Sequence, residues 1–419
     1  MKIAFVGMSH LGINYALAAA EKGFKVICYD QDQKTIKNLS LGNFSFFEPN
    51  IDKLYKKNKN KILFVNKLSF LEDCSSIFIS LDVKTDNNNN SIYFELNSLI
   101  KKITNNIKKD KNLILLSQVY PGYTENIDWP KKNLFYQVET LIFGSAASRA
   151  LNPEQFIIGT DKKLLINKNY LNYLKKFNCP ITTMDYITAE LAKITINLYL
   201  ISTLSLTNAL AEICEKIGAD WKKIMNILRN DKRIGKHAYL RPGLGITSPN
   251  LNRDLINIKN LVSKNKINNR LFDIFIKNSN NRKKWVIKIL NDILQYSKSS
   301  IIGIYGLPYK ENISVLKNSI SIDTIRLFKK NKFLAYDPIV KKLPKKISNV
   351  RICNNFEEII SKVDIMIIMT PWNESQSKKI ISKIKIFKGT YLIDPHNLIK
   401  DRDCPRNVKL IKMGKLLNL

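Results

Sequence analysis

Acidic residues are scarce in this chain. Only 35 Asp and Glu stand against 68 Lys and Arg, a formal net charge of +33 over 419 residues. Such an imbalance favours a polyanionic partner, either nucleic acid or an anionic membrane surface. The excess is mostly lysine, however, spread along the whole chain among abundant Asn and Ile. No arginine cluster or basic-aromatic alternation marks a groove, so base-composition bias on solvated surfaces accounts for it and no nucleic-acid partner is expected. Cysteine is sparse too. The six thiols, at positions 28, 74, 179, 214, 353 and 404, form no Cys-x-x-Cys pair and have no adjacent histidine. That excludes a zinc pattern and reads as reduced, mostly buried thiols in a cytoplasmic setting. An unbroken apolar run of about 20 residues is also missing, so no membrane span is expected. The apolar start through Ala18-Ala19-Ala20 imitates a secretory signal, but Gly7, Ser9, His10, Gly12 and Asn14 interrupt it.

What is present is core-forming material. A hydrophobic fraction of 45% and an aromatic fraction of 10% exclude disorder and small disulfide scaffolds. At roughly 150 residues per domain, the length implies two or three domains. Lys2–Val6 reads as a buried strand, and Gly7–Gly12 as a turn opening an alanine-rich helix. Lys25–Tyr29 is the next strand, closed by Asp30. Further strands are expected at 76–81, 112–117 and 155–159, with helical connections, which argues for a mostly parallel sheet covered on both faces. From Thr188 to about Asp220, Ala189, Ala192, Ile196, Tyr199, Thr203 and Leu206 recur at helical spacing without proline. The strand-helix pattern returns at Ile301–Gly306 and at Phe333–Tyr336 with Asp337. The expected architecture is α/β: two Rossmann-like strand-helix domains joined by a long central helix and a helical middle domain. Its parts are 1–187, 188–298 and 299–419. The tract Asn87–Asn90 reads as a loop tip.

Gly7, Gly12 and Asp30 are spaced for a dinucleotide. A glycine turn lets backbone amides and a helix N-terminus approach a pyrophosphate, and a carboxylate 23 residues after Gly7 bonds a ribose diol. That carboxylate disfavours a 2′-phosphate, so NAD is preferred over NADP. The expected cofactor residues are Gly7, Ser9, Leu11, Gly12 and Asp30. Ser9 stands where the fingerprint has its middle glycine, crowding the phosphates while offering a hydroxyl to them. A strand-helix turn that binds nothing is the bland alternative.

An ordered series of motifs then carries a family resemblance. It runs through Phe47-Glu48-Pro49, Ser117-Gln118-Val119-Tyr120-Pro121-Gly122, Glu139 with Gly144-Ser145-Ala146, and Ala189-Glu190-Leu191-Ala192-Lys193. Asn197, Asn208, Arg233-Ile234-Gly235, Pro242-Gly243-Leu244-Gly245 and Arg253-Asp254 follow. Gly306-Leu307-Pro308-Tyr309-Lys310, Tyr336-Asp337-Pro338 and Thr370-Pro371-Trp372-Asn373-Glu374 complete it. Nearly end to end, the chain resembles the UDP-glucose/GDP-mannose dehydrogenases. The resemblance implies an NAD-binding N-terminal domain, a central helix that builds a homodimer, and a C-terminal domain holding a nucleotide sugar, with a place in polysaccharide biosynthesis.

That family oxidises a sugar CH2OH twice, the second time through a cysteine thioester. By the resemblance, Asn250 falls at the cysteine, Thr203 at the family's lysine, Gln118 at a water-positioning threonine and Phe143 at a second glutamate. Glu139, Asn208 and Asp254 remain. The implied substrate contacts are Glu139, Lys310, Gly243 and Gly245, with Lys317 near a family arginine. His396 replaces an arginine that would meet the cofactor, making that contact pH-dependent. Asp254 is the one base the resemblance leaves, helped through water by Asn208 or Gln118. Taken alone, Asp254 reads as a helix cap, Asn208 as a backbone partner, Cys214 as core and His10 as packing. Two functional readings stand: an oxidoreductase with a rebuilt centre, or a non-catalytic nucleotide-sugar-binding or regulatory paralogue.

Overall fold

A computed structural model describes the chain except for residues 162–163, 297–299, 344–346 and 418–419. By packing it divides into two compact units, Met1–Ile196 and Asn197–Leu419. The first unit holds β1 (Lys2–Val6), β2 (Lys25–Tyr29), β3 (Ile62–Val65), β4 (Ser76–Ile79) and a small hairpin, β5 (Lys84–Thr85) with β6 (Ser91–Ile92). It continues with β7 (Asn112–Leu115), β8 (Leu134–Gln137), β9 (Phe156–Thr160) and β10 (Ile181–Asp185). Eight of these strands form one sheet in the order β10-β9-β8-β7-β4-β1-β2-β3. Its ladders are parallel except β8–β9. Its helices are α1 (His10–Glu21), α2 (Gln33–Ser40), α3 (Ile51–Asn58), α4 (Phe94–Asn106), α5 (Ala146–Leu151), α6 (Lys168–Lys175) and the start of α7 (Tyr186–Ile217). Ten consecutive residues of α1, Leu11–Ala20, are buried. Small alanines make this possible, because they let the helix pack on all sides.

The second unit holds the rest of α7, then α8 (Trp221–Asn230), α9 (Pro249–Lys264), α10 (Arg270–Lys283) and α11 (Trp285–Leu294). An all-parallel sheet follows, built from β11 (Ile302–Tyr305), β12 (Phe333–Tyr336), β13 (Val350–Ile352), β14 (Ile365–Ile368), β15 (Tyr391–Asp394) and β16 (Lys409–Lys412). Their order is β13-β12-β11-β14-β15-β16. The helices α12 (Ile320–Leu327), α13 (Glu357–Ile360) and α14 (Glu374–Ile384) connect them. The helical segment expected as a separate middle domain thus packs as one unit with this sheet. The Asn87–Asn90 tract turns the β5–β6 hairpin, with Asn89 at φ 64°.

The 32-residue α7 is long and apolar enough to cross a bilayer by length and composition. Its polar side chains nevertheless meet protein partners. Glu190, fully buried, accepts from the amides of Gly122 (2.5 Å) and Thr124 (2.8 Å). Lys193 pairs with Glu139 at 2.9 Å, and Glu215 binds Arg282 at 2.8 Å. Partnered buried charges of this kind mark a helix packed in protein. The other face is apolar and exposed: Ile196, Tyr199, Leu206, Leu210, Ile213 and Ile217. With Thr203 these positions alternate in steps of three and four.

Candidate functional site

The first candidate site is the turn between β1 and α1. Gly7 adopts φ +91°, and a Cβ there would lie 2.8 Å from Leu81 Cβ. At Gly12 a Cβ would sit 2.2 Å from the Gly7 carbonyl oxygen. Both positions therefore require glycine, and both bring α1 tightly against the strand ends. Asp30, at the end of β2, accepts from the Met8 amide through Oδ2 at 2.8 Å and from Asp32 through Oδ1 at 2.9 Å. The first intrahelical bond of α1 runs from Ile13 to Ser9 at 3.0 Å, so the amides before it have no acceptor within the helix. This arrangement suits the adenosine-diphosphate half of a dinucleotide. The turn, the helix N-terminus and a partly exposed carboxylate at β2 are all in place.

Two expectations for this turn are corrected. The Ser9 hydroxyl is not available to a phosphate: it donates to Ser80 O at 2.9 Å and accepts from the Asp82 amide at 3.0 Å. Serine here ties the turn to the end of β4, and its replacement by glycine would remove both bonds. The Leu11 amide is also engaged, by Asp82 Oδ2 at 3.3 Å. His10 packs, as the bland reading held. Its ring lies 4.4 Å from Phe143 and 4.7 Å from Phe46, and its Nε2 faces Glu48 Oε2 at 3.1 Å. Glu48 in turn accepts from the amides of Gly144 (3.0 Å) and Ala146 (2.7 Å), which explains why Phe47-Glu48-Pro49 and Gly144-Ser145-Ala146 occur together. Glu139 is held by Lys193 and by the Leu141 amide at 3.0 Å. Gln118 is buried beyond β7.

The second unit carries the other expected residues. Asn208, buried on α7, accepts from the Gly243 amide at 2.8 Å and so shapes the 242–246 loop. Gly245 adopts φ +75°, and a Cβ there would meet the Ser279 carbonyl oxygen at 2.5 Å. Gly243, Gly245, Arg241, Tyr309 and His396 line a cavity of about 200 Å³. Lys310 follows Tyr309 directly but does not line it. Burial raises the Tyr309 phenol to about 12. Burial, reinforced by Arg241, pushes the His396 imidazole down to about 4, and its Nε2 meets the Met369 carbonyl at 3.1 Å. In the cofactor-free protein the ring is thus held towards its neutral form.

Two further expectations change. Asp254 is no helix cap: α9 begins at Pro249 behind Ser248, placing Asp254 in its second turn, fully buried. One carboxylate oxygen accepts from Asn197 Nδ2 and the other from Arg253 Nε at 3.2 Å. Asn250 lies in the first turn of the same helix. Thr203, half-buried, lies in line with the exposed apolar stripe of α7, its hydroxyl folded back to Tyr199 O at 2.9 Å, a common helical back-bond. All six cysteines are free, and burial raises the pKa of every one, Cys214 included. The partners Asn197, Lys193 and Asp82 escaped assignment in the sequence, since their chemistry appears only when distant segments meet. No group of three or more His, Cys, Asp or Glu suited to a metal occurs among the described residues.

Family models of the UDP-glucose/GDP-mannose dehydrogenases match the chain in three consecutive parts. The NAD binding domain matches 1–172, the central domain 187–282 and the UDP binding domain 303–401. A UDP-glucose 6-dehydrogenase of Campylobacter jejuni is 30% identical over 387 residues, 88% of this chain and 94% of that protein. One from Rickettsia bellii is 25% identical over 422 residues, 96% of each. Among solved structures, a UDP-glucose dehydrogenase from Pyrobaculum islandicum shares the fold at a TM-score of 0.86 and 18% identity. That likeness covers 99% of this chain and 98% of the other.

Proposed function

Since the chain belongs to the UDP-glucose/GDP-mannose dehydrogenase family, we propose that it oxidises a CH–OH group of a UDP-sugar with NAD and forms no acyl-enzyme. The observation that carries the absence of an acyl-enzyme is the residue at the position the resemblance gives to the nucleophile, Asn250 in the first turn of α9, with burial raising the pKa of all six free cysteines in support. A thioester route needs a thiolate. On the family resemblance Asn250 stands at the nucleophile, and a carboxamide cannot form that bond. A single two-electron oxidation needs no such group.

Gly7, Gly12 and Asp30 would hold NAD at the β1–α1 turn, and NAD when bound would supply the hydride acceptor for the carbinol carbon. The chain must orient the alcohol and accept the hydroxyl proton. Asp254 is the proposed base, with Asn197 and Arg253 holding its carboxylate in one orientation. Asn208 supports the reading by setting the Gly243 loop, the proposed sugar contact with Gly245 and Lys310. The test is incubation with NAD and a panel of nucleotide sugars while absorbance of the reduced cofactor is followed. One equivalent of reduced cofactor per sugar, and loss of at least about a hundredfold in kcat for Asp254→Asn, are expected. A trapped thioester would overturn it.

A second reading rests on Asp254 itself, which has no exposed surface and both oxygens engaged. A binding or regulatory paralogue predicts no cofactor reduction but clear thermal stabilisation by a sugar nucleotide. Under either reading, we propose a homodimer built on the exposed apolar stripe of α7.

A further inference from the structure

The dinucleotide turn holds an anion of its own. Asp82 follows β4, the strand beside β1 at the point where the sheet order reverses, with β2 and β3 on one side and β7 to β10 on the other. Open α/β sheets receive their ligands in the crevice at this switch point. There the Asp82 carboxylate lays Oδ2 3.3 Å from the Leu11 amide at the start of α1; the residue reaches solvent, while the protein packed around it raises its pKa and His10 and the Leu11 amide pull it back down. Its backbone amide is fastened separately, donating to Ser9 Oγ at 3.0 Å. The neighbouring His10 bonds Glu48 through Nε2 at 3.1 Å and acts on Asp82 through its charge.

We propose that Asp82 is an internal competitor for the dinucleotide phosphates at the N-terminus of α1 and thereby sets the affinity of this protein for NAD. The proposal rests on the reading of residues 7–12 as the NAD turn. A helix N-terminus stabilises one anion through its dipole and free amides. Here a carboxylate already takes the Leu11 amide, so a pyrophosphate must displace it or lie against it. Like charges a few ångström apart near a protein surface repel strongly. Solvent, salt and rotation of an exposed side chain weaken that repulsion, leaving an expected penalty of about tenfold in affinity.

Calorimetric titration of the full chain, Asp82→Asn and Asp82→Ala with NAD, ADP and adenosine tests this. Substitution leaves the backbone amide bond to Ser9 in place, Asp82→Asn keeps a polar group beside the Ser9 hydroxyl that the carboxyl also contacts, and thermal melts establish that the variants fold. Both variants should bind NAD and ADP about tenfold more tightly than the parent, less so as salt rises, with adenosine unchanged. Equal or weaker NAD binding by the folded variants overturns the proposal, as does a gain shared by adenosine. If NAD binds all three proteins equally, only the role of Asp82 fails. If it binds none of them, the reading of the turn fails and the proposal with it.

Discussion

At the scale of single residues, the second sheet juxtaposes two titrating groups of opposite tendency. Burial lowers His396 to about 4 and raises Asp394 to about 6. The fold favours neutral His396, so its contribution to stability is complete above the ordinary imidazole value. It is lost as pH falls from about 6.5 towards 4. The fold favours protonated Asp394, so that contribution is complete below the ordinary carboxyl value and is lost as pH rises through about 6. Over the same window the two nearly cancel. Replacing His396 by Gln removes one of them. Denaturant melts should then show the variant gaining about 2 kcal/mol relative to the parent between pH 7.5 and pH 4.5. Parallel pH profiles for the two proteins would refute the burial argument. The catalytic candidates show the same dependence on surroundings. Asp254 was legible as a carboxylate in a recognisable motif, but its partner Asn197 lies 57 residues away, and no local pattern connects them.

Among the elements, the short parallel strands and the glycine turns were readable because each is a local event. A run of apolar β-formers bounded by glycine has few other folds to choose from. The long helix was readable for the same reason, though it runs from Tyr186 to Ile217 rather than from Thr188 to Asp220. Its two faces were not. Side chains of Ile196, Tyr199, Thr203, Leu206, Leu210, Ile213 and Ile217 alternate at three and four residues, the spacing of a helix-pairing seam, and the large apolar ones stay exposed. This stripe is the surface on which we propose that a second copy of α7 pairs. Sedimentation should therefore find a dimer for the parent, and a monomer of unchanged helicity for Leu206→Glu with Ile213→Glu. A monomeric parent would contradict the pairing.

For the whole molecule, a charge of +33 acts through self-repulsion. Exposed ion pairs such as Lys109–Asp128 and Lys2–Asp73 contribute little, whereas repulsion among dispersed lysines reaches over a Debye length of about 10 Å at 0.1 M salt. Adding NaCl from low salt to about 0.2 M should raise Tm, because screening relieves repulsion before it weakens the buried pairs. A fall in Tm would mean that surface pairing outweighs the net charge.

The amino-acid order alone determined the alternation of strand and helix, the two glycine-turn units with their following aspartates, and the family to which the chain belongs. Each of these depends on neighbours in sequence or on ordered motifs. Tertiary structure alone decided which polar groups are already engaged. It turned the Ser9 hydroxyl inward, set Asp82 on the Leu11 amide, joined Asp254 to Asn197 and left His396 neutral. Hydrogen bonding and desolvation depend on distance through space and on access to water, and folding sets both by bringing together segments far apart in the chain.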